Sequence, residues 1–439
     1  MASKRPKVKP PREWRLGSPR RARLDNGLGV SVFERPGQHI VSASLVLDLP
    51  LSEEPPDREG VGELTQRCCG EGTLAHPGTD FAEALDDCGA DFGGCAAHSA
   101  TQFQLDVPAS RLAPALALLA EAVTAPELAE DDVERVKAIR LAEIEAELAQ
   151  PGRRASLAFR QAVVAGKFRA SRPAGGRAAD VAAVDAELVR AFHAAHYAPD
   201  AATLVLAGDF EEDPFGLVED CFDAWPGGAA SYQPQSPAPD APRCVLIDRP
   251  GAVQAEVRMG AFGLDRGDPA YASLAVACHA LGGAFLSRLN AVLREEKGYS
   301  YGVQLGNAPM RSGGLLSMRG SFRSDAAADA IAIAREILDI SDAPITPAEV
   351  DDAVAYSRGV TPMVFATACG LADQVAGLVA AGLSAEWVDA INQATALVTP
   401  ETATAALRAQ LRPDKLTLVV VGDAETLHGP LSAAGWDVG

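Results

Sequence analysis

Residues 197–209 read YAPDAATLVLAGD, and residues 411–423 read LRPDKLTLVVVGD. Seven of the thirteen positions are identical between these two stretches. Each stretch follows a helical pattern, turns at Pro-Asp, and continues into an apolar, β-branched run that ends at Gly-Asp, which is typical of a buried strand. The offset between the two stretches is close to half of the full length of 439 residues. The repeat therefore predicts two homologous domains that arose by duplication.

A proline-rich segment lies between the two repeats. Residues 226–243 (PGGAASYQPQSPAPDAPR) contain five prolines and few apolar side chains, which predicts an extended linker. We therefore expect an N-terminal domain over residues 24–225 and a C-terminal domain over residues 244–439. In each half, hairpin-like strands alternate with paired helices, which predicts an α+β fold in which helices cover one face of a mostly antiparallel sheet.

The first 23 residues differ in composition from the rest of the chain. Residues 1–23 hold nine of the 39 basic residues and one of the 59 acidic residues. They contain no apolar run of the kind found in secretory signals. We expect residues 1–23 to be a disordered basic tail, with an Arg-rich mitochondrial presequence as an alternative that the prolines fit poorly. Without this tail the formal charge of the remaining chain is −28.

Composition excludes several classes of protein. The formal charge of −20 argues against nucleic acid as the main partner, because phosphate binding needs the opposite sign. No run of eighteen uncharged apolar residues is present, so we expect no membrane partner. The eight cysteines include no C-x-x-C pair, which favours reduced thiols in a bacterial-type cytoplasm over the alternative of a mitochondrial matrix.

The order of six segments resembles the pitrilysin/insulinase family of zinc metallopeptidases, in particular its mitochondrial-processing-peptidase-like branch. The resemblance runs through nearly the whole chain and is specific because all six segments occur in the same order. The segments are LDNGLGVSVFERP (24–36), EGVGELTQRCCGEGT (59–73), ALDDCGADFGGCAAHSATQFQLDVP (84–108), VERVKAIRLAEIEAELAQP (133–151), FGLDRGDPAYASLAVACHALGGAFLSRLNAVLREEKGYSYGV (262–303) and LTLVVVGD (416–423).

Active members of that family carry an inverted zinc motif, H-x-x-E-H, shortly before a Gly-Thr pair. Counted back from Gly72-Thr73, the three motif positions hold Glu63, Gln66 and Arg67. A glutamine cannot act as the general base, and a guanidinium has no lone pair for a metal. The resemblance places a third zinc ligand about 75 residues further on, where Glu143 stands. We therefore expect no metal and no cofactor in this chain, and a helix-surface ion pair of Arg67 with Glu63 and Glu143, the alternative being three solvated side chains.

The resemblance also implies a functional element in the second half of the chain. In the substrate-binding subunits of the family, an Arg and a Tyr seven residues apart donate hydrogen bonds to the peptide beside the scissile bond. Arg294 and Tyr301 have this spacing, and Tyr299 is the competing tyrosine. Only the glycine pair at 282–283 stands where the eukaryotic subunit carries a long glycine-rich loop. Because of that departure, we do not expect this chain to recognise presequences through such a loop.

Taken together, the resemblance implies a non-catalytic subunit of a heterodimeric zinc endopeptidase. A homologous partner chain with an intact H-x-x-E-H motif would hold the zinc, and this chain would present Arg294 and Tyr301 to a peptide or unfolded polypeptide substrate. His98, on a segment that the family presents to substrate, is a further candidate for peptide contact. Two alternatives remain: a structural pseudo-peptidase subunit without a role in proteolysis, and a self-sufficient enzyme with a relocated metal site.

Overall fold

The N-terminal domain is built on a six-stranded sheet. A computed structural model describes residues 13–228 and 232–438 of the chain. The strand order is β1-β2-β6-β3-β5-β4, and every neighbouring pair is antiparallel except β2–β6. The strands are β1 (Arg20–Arg23), β2 (Gly29–Glu34), β3 (Ile40–Leu47), β4 (Asp91–Ala96), β5 (Thr101–Pro108) and β6 (Ala202–Gly208).

Eight helices belong to this half of the described chain. Most of them pack against one face of the sheet and enclose a core of Leu, Val and Ala side chains with few aromatics, of which Phe81 and Phe103 are fully buried. The helices are α1 (Val61–Cys68), α2 (Thr79–Cys88), α3 (Leu112–Thr124), α4 (Glu130–Ala149), α5 (Pro151–Val163), α6 (Ala178–Ala182), α7 (Ala186–His196) and α8 (Pro214–Phe222).

The C-terminal domain repeats this plan with a five-stranded sheet. The order is β7-β11-β8-β10-β9, again with one parallel pair, β7–β11. The strands are β7 (Cys244–Asp248), β8 (Gln254–Gly263), β9 (Val303–Pro309), β10 (Gly314–Arg323) and β11 (Thr417–Gly422). The predicted α+β class and the mostly antiparallel sheets are confirmed.

The helices of the C-terminal half enclose a second core of the same composition. The helices are α9 (Tyr271–Cys278), α10 (Arg288–Asn290), α11 (Ala327–Leu338), α12 (Pro347–Val364), α13 (Ala368–Ala380), α14 (Trp387–Ala396), α15 (Pro400–Gln410) and α16 (Ala424–Ala433). The helices α9 and α10 each continue into a π-helical segment, His279–Gly283 after α9 and Ala291–Glu296 after α10.

Among the residues that the structure describes, one helical segment is apolar enough to cross a membrane by length and composition. Tyr271–Glu296 spans 26 residues, and its most apolar window has a mean hydropathy of 1.3. However, 56% of that window is buried inside the chain, as expected for a core helix of a folded domain. The helices α12 and α13 reach the same threshold only together, and they are bent by 111° at their junction.

The sequence repeat corresponds to a structural repeat. The strand β3 begins at residue 40 and β8 at residue 254, while α7 begins at residue 186 and α15 at residue 400. Both pairs therefore have the same offset as the two repeated stretches, which begin at residues 197 and 411. The repeated stretches themselves form β6 and β11, which hold equivalent places in the two sheets. The duplication inferred from two short stretches therefore extends over both domains.

The two domains exchange helices in a way that the sequence did not indicate. The helix α5 packs its Phe159 and Val163 against Leu315 and Val419 on the far face of the C-terminal sheet. In return, α13 packs against Phe33, Val205 and Ala207 on the far face of the N-terminal sheet. Each sheet is therefore covered on one face by its own helices and on part of the other face by a helix of the other domain.

The expectation of a disordered tail over residues 1–23 is wrong for its second part. Arg20–Arg23 form β1, which pairs with β2, because backbone hydrogen bonds and two ion pairs fix the segment. Arg20 pairs with Glu34 at 2.7 Å, and Arg21 pairs with Glu386 at 2.7 Å in the C-terminal half. Residues 1–12 lie outside the described residues.

The predicted linker is irregular but is not free of contacts. An isolated β-bridge joins Val164 to Pro239, and the carbonyl of Ala238 accepts a hydrogen bond from Ala165 at 2.9 Å. Tyr232 packs against the N-terminal core, and its hydroxyl lies 2.8 Å from Nδ1 of His196. The described part of residues 226–243 is therefore attached along the N-terminal domain.

Candidate functional site

The helix α1 starts from a buried carboxylate that caps it. Glu54 accepts hydrogen bonds from the backbone N–H groups of Gly60 at 2.9 Å and Gly62 at 3.0 Å. Its other oxygen accepts from Nε of buried Arg169 at 2.8 Å. Burial raises the pKa of Glu54, although the charge of Arg169 acts in the opposite direction. The buried pair of Glu54 and Arg169 therefore fixes the start of α1. The start of the helix in turn determines which side chains of α1 face outward.

Arg67 lies on α1 between two carboxylates. Its Nε donates to Oε1 of Glu63, one helical turn earlier, at 2.8 Å. Its Nη1 donates to Oε1 of Glu143 on α4 at 2.9 Å, and Nη2 lies 2.9 Å from Oε2 of the same carboxylate. Glu143 also accepts from Arg140 at 3.0 Å. The structure thus brings Glu63, Arg67 and Glu143 together in one ion-pair network, as the spacing on the two helices predicts.

The electrostatics of this network favour the charged states of Arg67 and Glu143. The hydrogen bond from Arg67 has the largest effect on Glu143 and lowers its pKa below the ordinary range. Burial, the second-largest effect, acts to raise this pKa, and the hydrogen bond from Arg140 acts to lower it. Burial acts to lower the pKa of Arg67, but the hydrogen bond to Glu143 and the charge of Glu63 outweigh it and leave that pKa raised. The guanidinium therefore stays protonated.

These residues do not form a donor set for zinc. The three positions on α1 offer a carboxylate that is already paired, the buried amide of Gln66, and a permanently protonated guanidinium with no lone pair. Over residues 13–228 and 232–438, no three His, Cys, Asp or Glu side chains are grouped so that they could hold a metal ion. Positive charge from Arg67 occupies the space between Glu63 and Glu143.

Arg294 and Tyr301 lie near the start of the edge strand β9. Asn290 ties that strand to α10, since its amide donates to the Val303 carbonyl at 3.0 Å and its Oδ1 accepts from the Val303 N–H at 2.8 Å. Gly282 allows the preceding helix to approach β9, because a Cβ on it would lie 2.5 Å from both Cβ and N of Leu305. Gly282 and this asparagine therefore fix the start of β9, next to which both candidate residues lie.

The side chain of Arg294 is held by Phe285. The guanidinium carbon lies 3.6 Å from the centre of the Phe285 ring, and Nη2 donates to the Phe285 carbonyl at 2.8 Å. The Nε of Arg294 donates to Glu295 at 2.8 Å. With Nε and Nη2 both bound, Nη1 is the nitrogen of Arg294 that makes no hydrogen bond within the described chain. The role of Phe285 could not be inferred from the sequence, where it is one of two apolar residues after Gly282-Gly283-Ala284.

Tyr301 and the competing Tyr299 have different environments. Tyr299 packs at the margin of the C-terminal core and donates its hydroxyl to Asp329 at 2.9 Å. Tyr301 is 96% exposed. Its hydroxyl is therefore accessible to a ligand, whereas that of Tyr299 already has a partner.

Arg294 and Tyr301 line one open groove of about 540 Å³ on the C-terminal domain. Its floor comes from the exposed face of β8, β10 and β9, and its wall from residues 282–285. Arg258 and Arg319 also line it, and neither was a candidate from the sequence. The network around Arg67 lies on the other domain, so the structure forms two separate groups from the predicted site residues.

Contact of His98 with substrate stays a prediction, and the structure places this residue in the loop between β4 and β5. The Nε2 of His98 lies 2.9 Å from the carbonyl oxygen of Arg172, a residue of the loop that follows Arg169. His98 itself lies outside the exposed edge strand β4, which ends at Ala96. Burial lowers the pKa of His98 to about 4, and the charge of Arg160 acts in the same direction. The neutral ring therefore donates to Arg172, and its role is to join two loops.

Two family models match this chain. Residues 30–170 match the insulinase (peptidase family M16) model, and residues 183–356 match the peptidase M16 inactive domain. Together the two models cover most of both structural domains.

Several bacterial relatives are similar over most of their length. An uncharacterized zinc protease of Mycobacterium tuberculosis is 27% identical over 350 residues, which cover 78% of this chain and 79% of the relative. One from Streptomyces coelicolor is 26% identical, with 80% and 78% covered. The uncharacterized zinc protease YmxG of Bacillus subtilis is 21% identical, with 69% and 73% covered.

Solved structures share the two-domain fold. A peptidase M16 inactive domain from Pseudomonas fluorescens superposes with a TM-score of 0.86 at 24% identity, covering 92% of this chain and 98% of that one. A protease from Helicobacter pylori gives a TM-score of 0.83 at 15% identity, with 94% and 100% covered. A chain of Complex III2 from Candida albicans gives 0.78 at 14% identity, with 94% and 99% covered.

Proposed function

The chain belongs to the M16 (insulinase) peptidase family, and from this we propose that it is the non-catalytic, substrate-binding subunit of a heterodimeric zinc endopeptidase. The observation that carries the proposal is the guanidinium of Arg67, which pairs with Glu143 where the family's sequence pattern leads one to expect zinc and its third ligand. The fixed positive charge of Arg67 occupies both carboxylates and would repel a metal ion at that place. Zinc and the general base would therefore belong to a homologous partner chain with an intact H-x-x-E-H motif.

In this proposal, Arg294 and Tyr301 act on the partner's substrate. Nη1 of Arg294 and the hydroxyl of Tyr301 are donors that can reach a peptide carbonyl beside the scissile bond. Donors held in place before the reaction stabilise an oxygen whose negative charge grows in the transition state. The stacking of Arg294 on Phe285 supports this role, because it fixes the guanidinium without using all of its nitrogens.

The free edge of β9 offers the peptide a place to bind. This strand lies at the end of the C-terminal sheet, and its outer side makes no strand pairing in the described chain. An extended peptide can add to such an edge through main-chain hydrogen bonds, which accept many sequences. The substrate would then lie beside both Arg294 and Tyr301.

The experiment combines this chain with an M16 homologue that carries the intact motif and follows cleavage of an unfolded polypeptide. The proposal predicts cleavage by the pair, and a rate lowered at least tenfold by Arg294→Ala or Tyr301→Phe while the heterodimer still forms. Arg412→Ala and Tyr356→Phe are matched controls, because both residues are exposed and lie outside the groove. Full activity of both groove variants would contradict the role of the pair.

A second candidate is a structural pseudo-peptidase subunit without a role in proteolysis. The chain of Complex III2 from Candida albicans has the same fold, and the network around Arg67 fits this candidate equally well. It differs in one expected result: the groove variants of Arg294 and Tyr301 would leave every proteolytic rate unchanged, while assembly with other chains would persist.

A further inference from the structure

Part of the far face of the C-terminal sheet is left open by α5. The helix α5 covers β7 and β11 and reaches β8, where the Gly152 carbonyl accepts from Arg258 at 2.9 Å and the Ser156 hydroxyl accepts from it at 3.1 Å. The helix α5 also contacts Leu315 at the start of β10, and beyond it the faces of β10 and β9 around Arg319 and Gln304 form the floor of the groove that holds Arg294 and Tyr301. The groove therefore runs between α5 and the free edge of the sheet.

Two arginines stand directly opposite each other on this floor. The strand register pairs Arg258 of β8 with Arg319 of β10, and Arg319 with Gln304 of β9. Like charges at directly opposite positions of neighbouring strands destabilise a sheet. The carboxylate that lines the groove beside them is Glu256, whose Oε2 lies 3.3 Å from Arg258. With Arg294 included, the lining holds three cations and one anion.

Arg258 and Arg319 differ in how they are bound. Arg258 is buried, and its three nitrogens are used by neighbouring oxygens of Gly152, Ser156, Val257 and Glu256. Arg319 is exposed, and its Nε donates to Oε1 of Gln304 at 2.8 Å. Both Nη nitrogens of Arg319 make no hydrogen bond within residues 13–228 and 232–438. The planar end of Arg319 is therefore directed toward β9 and available to an anion.

The duplicated sheet shows that the fold itself does not need these charges. Ser44 holds the place in the N-terminal repeat that Arg258 holds in the C-terminal one, and it pairs with Gln104 of β5, which in turn pairs with Gly93 of β4. This equivalent row in the N-terminal domain is uncharged. The arginine pair is thus a property of the C-terminal groove, in a chain whose overall formal charge is −20.

We propose that Arg319, with the charge of Arg258 directly beside it, forms an anion subsite that receives an acidic side chain of a peptide added to the edge of β9. A residue of that peptide paired with Gln304 would project onto the same face as Gln304 and Arg319. Two strand spacings, about 10 Å, separate its backbone from that of Arg319, within the combined reach of a glutamate and an arginine. Guanidinium and carboxylate can then form two parallel hydrogen bonds.

This inference rests on the proposed function, since it needs a peptide on the edge strand, and it names the substrate class as acidic peptides. It also reverses what the net charge suggests, because an acidic chain would attract basic peptides if its acids lined the site. Here the charge of the groove, and not that of the whole chain, decides the preference. The subsite adds specificity to an edge that would otherwise accept any sequence.

The test measures binding of fluorescein-labelled twelve-residue peptides of Ala, Ser and Thr to the full chain by anisotropy. One set carries a single Glu at successive positions, and the matched set carries Gln. We expect the best Glu peptide to bind about fivefold tighter than its Gln counterpart at low salt, with the difference reduced at about 300 mM NaCl. Arg319→Gln should remove the preference, while Arg319→Lys should retain part of it.

Arg323→Gln is the matched control, because it removes the same charge from the same strand at an exposed residue outside the groove. Binding of both sets without a preference for Glu would overturn the subsite and leave the proposed function intact. A preference that persists in Arg319→Gln would also overturn it. Binding of neither set would contradict both the subsite and the proposed function, and an effect of Arg319→Gln on association with the partner chain alone would replace the subsite by an interface.

Discussion

Arg67 of α1 faces Glu143 of α4 across 76 residues of sequence, with Nη1 and Oε1 at 2.9 Å and Nη2 and Oε2 at 2.9 Å. Such a two-point contact fixes the relative orientation of the two side chains as well as their distance. Because Glu63 holds the Nε of the same guanidinium, Arg67 links two turns of α1 to α4. The network therefore provides a structural role for residues at positions that resemble a catalytic motif.

The first prediction concerns the coupling within this pair. In a double-mutant cycle of Arg67→Met and Glu143→Gln, we expect a coupling free energy of about 1 kcal/mol, since both side chains are only partly exposed. Urea denaturation of the four proteins measures it. The matched cycle uses Glu134→Gln in place of Glu143→Gln, because Glu134 is an exposed residue of α4 that pairs with Lys137 and should show no coupling to Arg67. Equal coupling in both cycles would mean that Arg67 and Glu143 do not interact specifically.

The second prediction concerns stability in mild acid. His98 has a pKa of about 4 in the folded chain because of burial, against about 6.5 when unfolded. Between these values the unfolded state binds the proton and the folded state does not, so stability is present above pH 6.5 and is lost as the pH falls toward 4. We expect a loss of about 2 kcal/mol from this residue over that interval.

Equilibrium denaturation at pH 7 and at pH 4.5 measures this loss. His98→Gln keeps an N–H donor for the Arg172 carbonyl but does not titrate, so its stability should fall less over the same interval. The exposed His428→Gln is the matched control, and only the change at His98 is expected to flatten the profile. If His98→Gln follows the wild-type profile, the assignment of a buried, neutral His98 is wrong.

The third prediction concerns the approach of helix and strand at the groove. Gly282→Ala should lower the free energy of unfolding by about 1–3 kcal/mol, because its Cβ would lie 2.5 Å from Leu305 and the backbone would have to move. Thermal denaturation measures the change. Gly306→Ala, on β9 with open space at the Cβ position, should be close to neutral. A neutral Gly282→Ala would show that the helix can move away from β9 at no cost.

The fourth prediction concerns how Arg294 is held. Phe285→Leu removes the ring that lies 3.6 Å from the guanidinium, and we expect cleavage by the heterodimer to fall about threefold, less than with Arg294→Ala. The exposed Leu286→Ala is the neighbouring control, because it changes the apolar surface without touching the ring. The double variant Phe285→Leu/Arg294→Ala should be no slower than Arg294→Ala. Additive losses would indicate that Phe285 acts independently of Arg294.

The architecture could be predicted from the sequence because each domain uses regular patterns. The constant offset of the repeat and the Pro-Asp turns follow local rules, and the two repeated stretches form β6 and β11 as their apolar, β-branched runs predict. The ion pair of Arg67 with Glu143 could also be predicted, because the family resemblance indicated which two positions lie close together in the fold.

Other features depend on contacts that local pattern does not encode. The exchange of α5 and α13 between the domains joins surfaces that each look like an ordinary apolar helix face. The strand at Arg20–Arg23 looked like part of a charged tail because its ion-pair partners lie elsewhere in the chain. The facing of Arg258 and Arg319 depends on the register of β8 and β10, which are about 60 residues apart in sequence.

The most direct test of the central claim measures zinc and peptidase activity in this chain by itself. After incubation with zinc and removal of the excess by dialysis, we predict less than stoichiometric zinc and no hydrolysis of an unfolded polypeptide, with cleavage appearing only when a homologue bearing H-x-x-E-H is added. One zinc per chain together with hydrolysis in the absence of any homologue would contradict the account.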